Sequence, residues 1–112
     1  MAKHPKFEIT EGKNGEYYFS LTATNGEKIL GSEGYKAKDS CTNGIESVRK
    51  NSQDSTQFDK KESSNGKFYF NLKASNGEII GTSQMYASVA SRDNGTESVA
   101  KNATDAEIED NS

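Results

Sequence analysis

The 112-residue sequence holds one cysteine, one proline, one histidine and no tryptophan. A lone Cys41 cannot close an internal disulfide, and such sparse cysteine fits a reducing compartment. No run approaches the ~18 apolar residues of a membrane span, and nothing near Met1 resembles the apolar stretch of a signal peptide. The chain is therefore expected in the cytoplasm without a membrane partner. Its net charge of −3 gives no general attraction to phosphate backbones or anionic lipid. Hydrophobic residues make up only 30%, with a mean hydropathy of −0.94, so the core must be economical. Glycine-rich phosphate loops, Cys-x-x-Cys, His-x-x-x-His and Gly-x-Ser-x-Gly are all missing, and no cofactor or metal is expected.

What the sequence does contain is a duplication. Displaced by 51 residues, the segment Phe7 to Asn51 matches Phe58 to Asn102 without a gap, and 22 of the 45 aligned pairs are identical. The matches include Tyr18-Phe19 with Tyr69-Phe70, Asn25-Gly26-Glu27 with Asn76-Gly77-Glu78, and Glu46-Ser47-Val48 with Glu97-Ser98-Val99.

Each copy begins with strand signals. Tyr17, Phe19, Leu21 and Ala23 alternate with Tyr18, Ser20 and Thr22, and the copy alternates Phe68, Phe70, Leu72 and Ala74 with Tyr69, Asn71 and Lys73. Asn25-Gly26 and Asn76-Gly77 then predict two-residue type I′ turns, because that pair tolerates positive φ at both central positions. Looser loops at Glu11 to Gly15 and Glu62 to Gly66 join each central strand to a first strand around Phe7-Glu8-Ile9 or Phe58-Asp59-Lys60. After Tyr35 the period lengthens. Ala37, Cys41, Ile45 and Val48 form one stripe of a helix, and Ser88 is a candidate N-cap for its copy. Gly44 and Gly95 lie within these helices, and the stripe keeps its phase across them. Their expected use is close approach of helix to sheet.

The stretch Ser55 to Glu62 closes the first copy and opens the second, leaving no linker. Each unit of about 50 residues is too small to close a core alone. The expected fold class is therefore α+β in a single domain spanning 1–112. Two tandem β-β-β-α-β repeats, about 6–57 and 58–110, would form one antiparallel sheet. Two helices pack on that sheet, terminal strands are exchanged between repeats, and the units are related by a pseudo-two-fold axis.

Asn43-Gly44-Ile45-Glu46-Ser47-Val48, Arg92-Asp93-Asn94-Gly95 and Gly81-Thr82-Ser83-Gln84-Met85-Tyr86 resemble the YegP-like family. Its members are small bacterial proteins with a domain of unknown function of about 50 residues, often in tandem. The resemblance implies this same architecture and no catalytic or binding residue. Thr96 stands where the family pattern has isoleucine, which should thin the core beneath the second helix.

Three functional readings compete. The first is a non-catalytic binding or structural module, monomeric through its internal duplication. The second is single-stranded nucleic-acid binding through an aromatic sheet face. Tyr18, Thr22, Tyr69 and Lys73 form the candidate contact surface, and Lys3, Lys6, Lys13, Lys28 and Lys67 could add a local positive field. The third is an enzyme using Glu46 and Glu97 as a carboxylate pair at the repeat junction. Against it, Lys50 and Lys101 follow at i+4, the spacing of ordinary helical ion pairs. Cys41 and His4 could in principle form a nucleophile and base. Cys41, however, falls on the apolar stripe, and His4 precedes the first strand in a solvated terminus.

Overall fold

A computed structural model describes residues 4–112, so Lys3 lies outside the described residues. The first copy supplies β1 (Lys6–Glu11), β2 (Tyr17–Thr22), β3 (Lys28–Gly31) and α1 (Lys38–Asn51). A 3-10 turn at Ser55–Gln57 leads into β4 (Phe58–Glu62), β5 (Phe68–Lys73), β6 (Ile79–Ser83), α2 (Val89–Asp105) and β7 (Glu107–Asp110). All seven strands share one sheet in the order β4-β5-β6-β3-β2-β1-β7.

The two halves meet where β3 and β6 pair antiparallel, with Gly31 opposite Thr82. Those positions are 51 residues apart, so the pseudo-two-fold axis passes between a residue and its own duplicate. Leu30 breaks the symmetry there. It occupies the space that a Cβ on its counterpart Gly81 would need, at 2.8 Å.

Five strand pairings are antiparallel, as the alternation predicts, but the sheet is mixed because β7 runs parallel to β1. The exchange of terminal strands explains this. The segment after α1 pairs with β5 of the second half, while the segment after α2 returns to β1 of the first.

Apolar residues from one face of the strands and one stripe of each helix make a single core. Phe7, Phe19, Leu21, Ile45, Val48, Phe70, Leu72 and Val99 are all fully buried within it. The duplication is visible in the ring geometry. Phe7 meets Phe19 edge-on at 6.0 Å and Phe58 meets Phe70 at 5.3 Å, while Phe19 stacks on Tyr35 at 6.2 Å and Phe70 on Tyr86 at 6.3 Å. Each helix crosses its stacked pair at the glycine. A Cβ on Gly44 would come within 2.5 Å of Tyr35 Oη and 3.0 Å of Phe19, and one on Gly95 would strike Tyr86 and Phe70. Close approach therefore outweighs the roughly 1 kcal/mol that glycine costs a helix. Ser88 caps α2 by accepting from the Ser91 N–H at 3.1 Å. Beside Thr96 a shallow surface depression of about 130 Å³ opens against Phe58 and Ala100.

The hairpins differ from expectation. Among the described residues none other than glycine has positive φ, so Asn25 and Asn76 do not form type I′ turns. Instead Gly26 N–H donates to the Ala23 carbonyl and Ala23 N–H to the Glu27 carbonyl, a three-residue loop with glycine at the bulge. The asparagine carboxamide accepts the N–H two residues on, which holds it in a right-handed turn. The loops at Gly12–Glu16 and Ser63–Lys67 are built the same way and are as tight as the other two.

Strand β7 is held by side chains as well as by its ladder. Lys6 Nζ reaches Glu109 at 2.8 Å and Lys38 Nζ reaches Asp110 at 3.0 Å. Arg49 donates to the Ala106 carbonyl at 2.5 Å while its guanidinium lies over Phe7. Bonds from the Ser112 hydroxyl and N–H, and then from Lys38, hold the Asp110 carboxyl down at about 2, against an ordinary 3.8. A carboxyl with a depressed folded pKa stabilises the fold above its unfolded value, and that contribution is lost as pH falls through the folded one. Amides of β7 should lose exchange protection between pH 3.8 and about 2, before those of β2 and β5. Hydrogen exchange corrected for intrinsic rates measures this, and uniform protection across that interval would contradict it.

Candidate functional site: the open sheet face

Both helices pack on one face of the sheet and leave the other uncovered. Following the register from edge to edge places Glu109, Glu8, Ser20, Gly31, Thr82, Asn71 and Asp59 in one line across the open face. Carboxylates stand at both ends and small polar residues in the middle. A shallow depression of about 340 Å³ sits at the centre, around the symmetry axis, with Lys28, Gly31, Thr82 and Gln84 in its lining. Thr82 Oγ1 donates to Asn71 Oδ1 at 2.8 Å and fixes one wall.

Tyr18 and Tyr69 are both half-buried, as period two requires. They flank the central line from opposite ends, two residues along β2 and two along the oppositely running β5. Standard strand spacing puts them about 20 Å apart, so no single ring or base can touch both. Tyr18 Oη accepts from Asn14 Nδ2 at 3.1 Å. Lys73 faces Ile79, which is 41% exposed and gives this corner an apolar spot.

Thr22 does not belong to an exposed surface. It is 7% exposed, and its hydroxyl is shared by His4 Nδ1 at 2.8 Å and the Lys6 N–H at 3.1 Å. His4 itself is exposed, yet it is anchored through that bond and lies against Gly26 rather than free in solvent.

Three lysines of this face are paired with carboxylates. Lys6 meets Glu109 at 2.8 Å and Glu8 at 3.9 Å, while Lys61 and Lys73 share Asp59 at 3.4 and 3.2 Å. Lys73 and Lys61, acting against some loss of hydration, keep the Asp59 carboxyl below its usual range. The positive charge is offset at these two ends of the face, while Lys28 beside the central depression makes no ion pair with a described residue.

Other candidates lie elsewhere. Cys41 is fully buried in the core, where loss of hydration raises its thiol pKa. Glu46 and Glu97 are exposed on separate helices. Glu46 pairs with Arg49 at 2.7 Å rather than with Lys50, and Glu97 lines a groove against the β2–β3 hairpin that Glu46 does not reach. Among the described residues no group of three or more His, Cys, Asp or Glu is placed to hold a metal ion. No helix there is long and apolar enough to cross a membrane.

Sequence reading missed Ser32 and Ser83. Each hydroxyl accepts the backbone N–H of the buried phenylalanine on the neighbouring strand, Phe19 at 2.9 Å and Phe70 at 3.0 Å. Their identity at offset 51 was the available signal.

The family model described as a domain of unknown function, DUF1508, matches residues 13–59 and again 63–110. A UPF0339 protein encoded in the 5′ region of the ptx operon of Stutzerimonas stutzeri is 55% identical over 91% of this chain and 92% of its own. The UPF0339 protein YegP of Escherichia coli K12 is 50% identical over 94% of this chain and 96% of its own. The solution structure of E. coli YegP, a protein of unknown function, superposes with a TM-score of 0.90. That match has 50% identity and covers 99% of this chain and 94% of the other. A UPF0339 protein from Shewanella oneidensis gives a TM-score of 0.88 at 48% identity, covering 94% and 89%.

Proposed function

Because the chain belongs to the DUF1508 family, one copy of whose domain lies in each half, we propose that it is a non-catalytic binding module acting through its open sheet face. The observation that carries this reading is that one face of a seven-stranded sheet has no helix over it. That face has a small, polar centre with Tyr18, Tyr69, Lys73 and Ile79 around it. The duplication supports a monomer, since each half already meets its symmetry mate within the chain. The reduced, buried Cys41 suits the cytoplasm of a bacterium. With Lys6, Lys61 and Lys73 paired to carboxylates, the face suits a polypeptide better than a nucleic acid.

The test is selection of random peptides on the isotope-labelled chain, beside titration with a thymidine oligonucleotide. Selected peptides should shift the amides of Ser20, Gly31, Asn71 and Thr82, and Tyr69→Ala should weaken them about tenfold. Salt-sensitive oligonucleotide binding lost in Tyr18→Ala and Tyr69→Ala would instead establish the nucleic-acid reading. If neither probe moves this face, both readings fall.

A further inference from the structure

The duplication supplies its own control for a second site on the helix side of the sheet. There the β2–β3 hairpin and α2 enclose a groove of about 400 Å³, walled by Thr24, Asn25, Asn94, Glu97, Lys101 and Asn102. That volume falls within the range of small-molecule sites. Asn102 is only 6% exposed. Its Nδ2 donates to the Ser98 carbonyl at 2.8 Å and to Ser98 Oγ at 3.0 Å, which fixes the orientation of the amide. Its Oδ1 receives no donor from any described residue and is the part of the amide left to the groove.

The equivalent Asn51 makes the same two bonds to Ser47, at 2.9 and 3.0 Å. There, however, Gln57 Nε2 donates to Asn51 Oδ1 at 3.4 Å and to the Lys73 carbonyl at 3.0 Å. The residue matching Gln57 beside α2 is Lys6, and its ammonium is turned away to Glu109. One copy is thus supplied by the chain's own amide, and the other lacks its donor. At the rim of the second groove Glu97 and Lys101 stand four residues apart without forming the usual ion pair, within 4.0 Å, that their spacing allows.

We propose that this groove binds a free α-amino acid. The ligand's ammonium would donate to Asn102 Oδ1 and to the Glu97 carboxylate, in the role Gln57 plays in the other half, and its carboxylate would accept from Lys101. An oriented amide oxygen left open to the groove and two unpaired, opposite charges are together what a zwitterion satisfies and a singly charged molecule does not.

The test titrates the labelled chain with L-alanine and L-glutamine, with acetate and methylammonium as probes carrying one charge each. The amino acids should shift amides at 24–25 and 97–102, and the singly charged probes should bind about tenfold more weakly. Asn102→Ala should abolish the shifts. Should that variant unfold, Glu97→Gln and Lys101→Gln at exposed positions should each weaken binding about tenfold. Absence of shifts at these residues under saturating amino acid overturns the proposal, as does binding unchanged in both charge variants.

Discussion

A fragment ending at Gln57, which contains β1, β2, β3 and α1, should be unfolded at neutral pH. Its amide spectrum should be collapsed and its circular dichroism that of a disordered chain. The reason lies in how the helices are placed. α1 packs on β5 and β6 of the second half as well as on β2, and α2 packs on β1, β2 and β3 of the first. Removing the second half therefore takes β5 and β6 from under α1 and α2 from over β1, β2 and β3, so the buried side chains of the joint core on these elements lose part of their cover together. Burial of a large side chain contributes about 1.5–3 kcal/mol, while an entire small domain is stable by only about 5–15 kcal/mol. Exposing several at once exceeds the whole margin. A dispersed spectrum with a cooperative melt from the fragment would disprove the mutual dependence of the halves.

Phe70→Ala should destabilise the intact chain by about 3–5 kcal/mol, seen as a lower denaturation midpoint with an unchanged slope. Phe70 is fully buried, meets Phe58 edge-on, stacks on Tyr86 and lies against the backbone of Gly95. Truncation leaves three rigid neighbours around a void that none can fill. Phe19→Ala should behave alike, because Phe7, Tyr35 and Gly44 enclose it in the same way. A loss below about 1 kcal/mol at either position would mean that the site collapses onto its neighbours, and would contradict this packing.

Much of this architecture was legible in the residues. Alternation along Tyr17 to Ala23 separates core from open face, and the phase kept across Asn43-Gly44 identifies a helix where the dipeptide alone suggests a turn. The failures share a cause. Asn-Gly favours a type I′ turn locally, but the asparagine side chain captures the N–H of Glu27 or Glu78 and selects another loop. Thr22 falls on the outward set of its strand, yet His4, 18 residues away, covers it. The candidate face looked positive until the register set Asp59 beside Lys61 and Lys73. The parallel placement of β7 likewise depends on Lys6, Lys38 and Arg49 acting from distant parts of the chain. Period and identity report what a residue is, whereas long-range pairing decides what it meets.

The register that sets Gly31 against Thr82 also bears on descent. A lone ancestral unit could have joined a second copy of itself through its third strand, making an isologous dimer in which every contact occurs twice. Under that rule a bulky side chain at position 30 would confront its own image. Fusing the two genes lifts the restriction, and Leu30 beside Gly81 is the kind of unequal partnership that only non-identical halves can adopt. Having specialised in this way, the first half should no longer be able to rebuild the ancestral pair, even at high concentration.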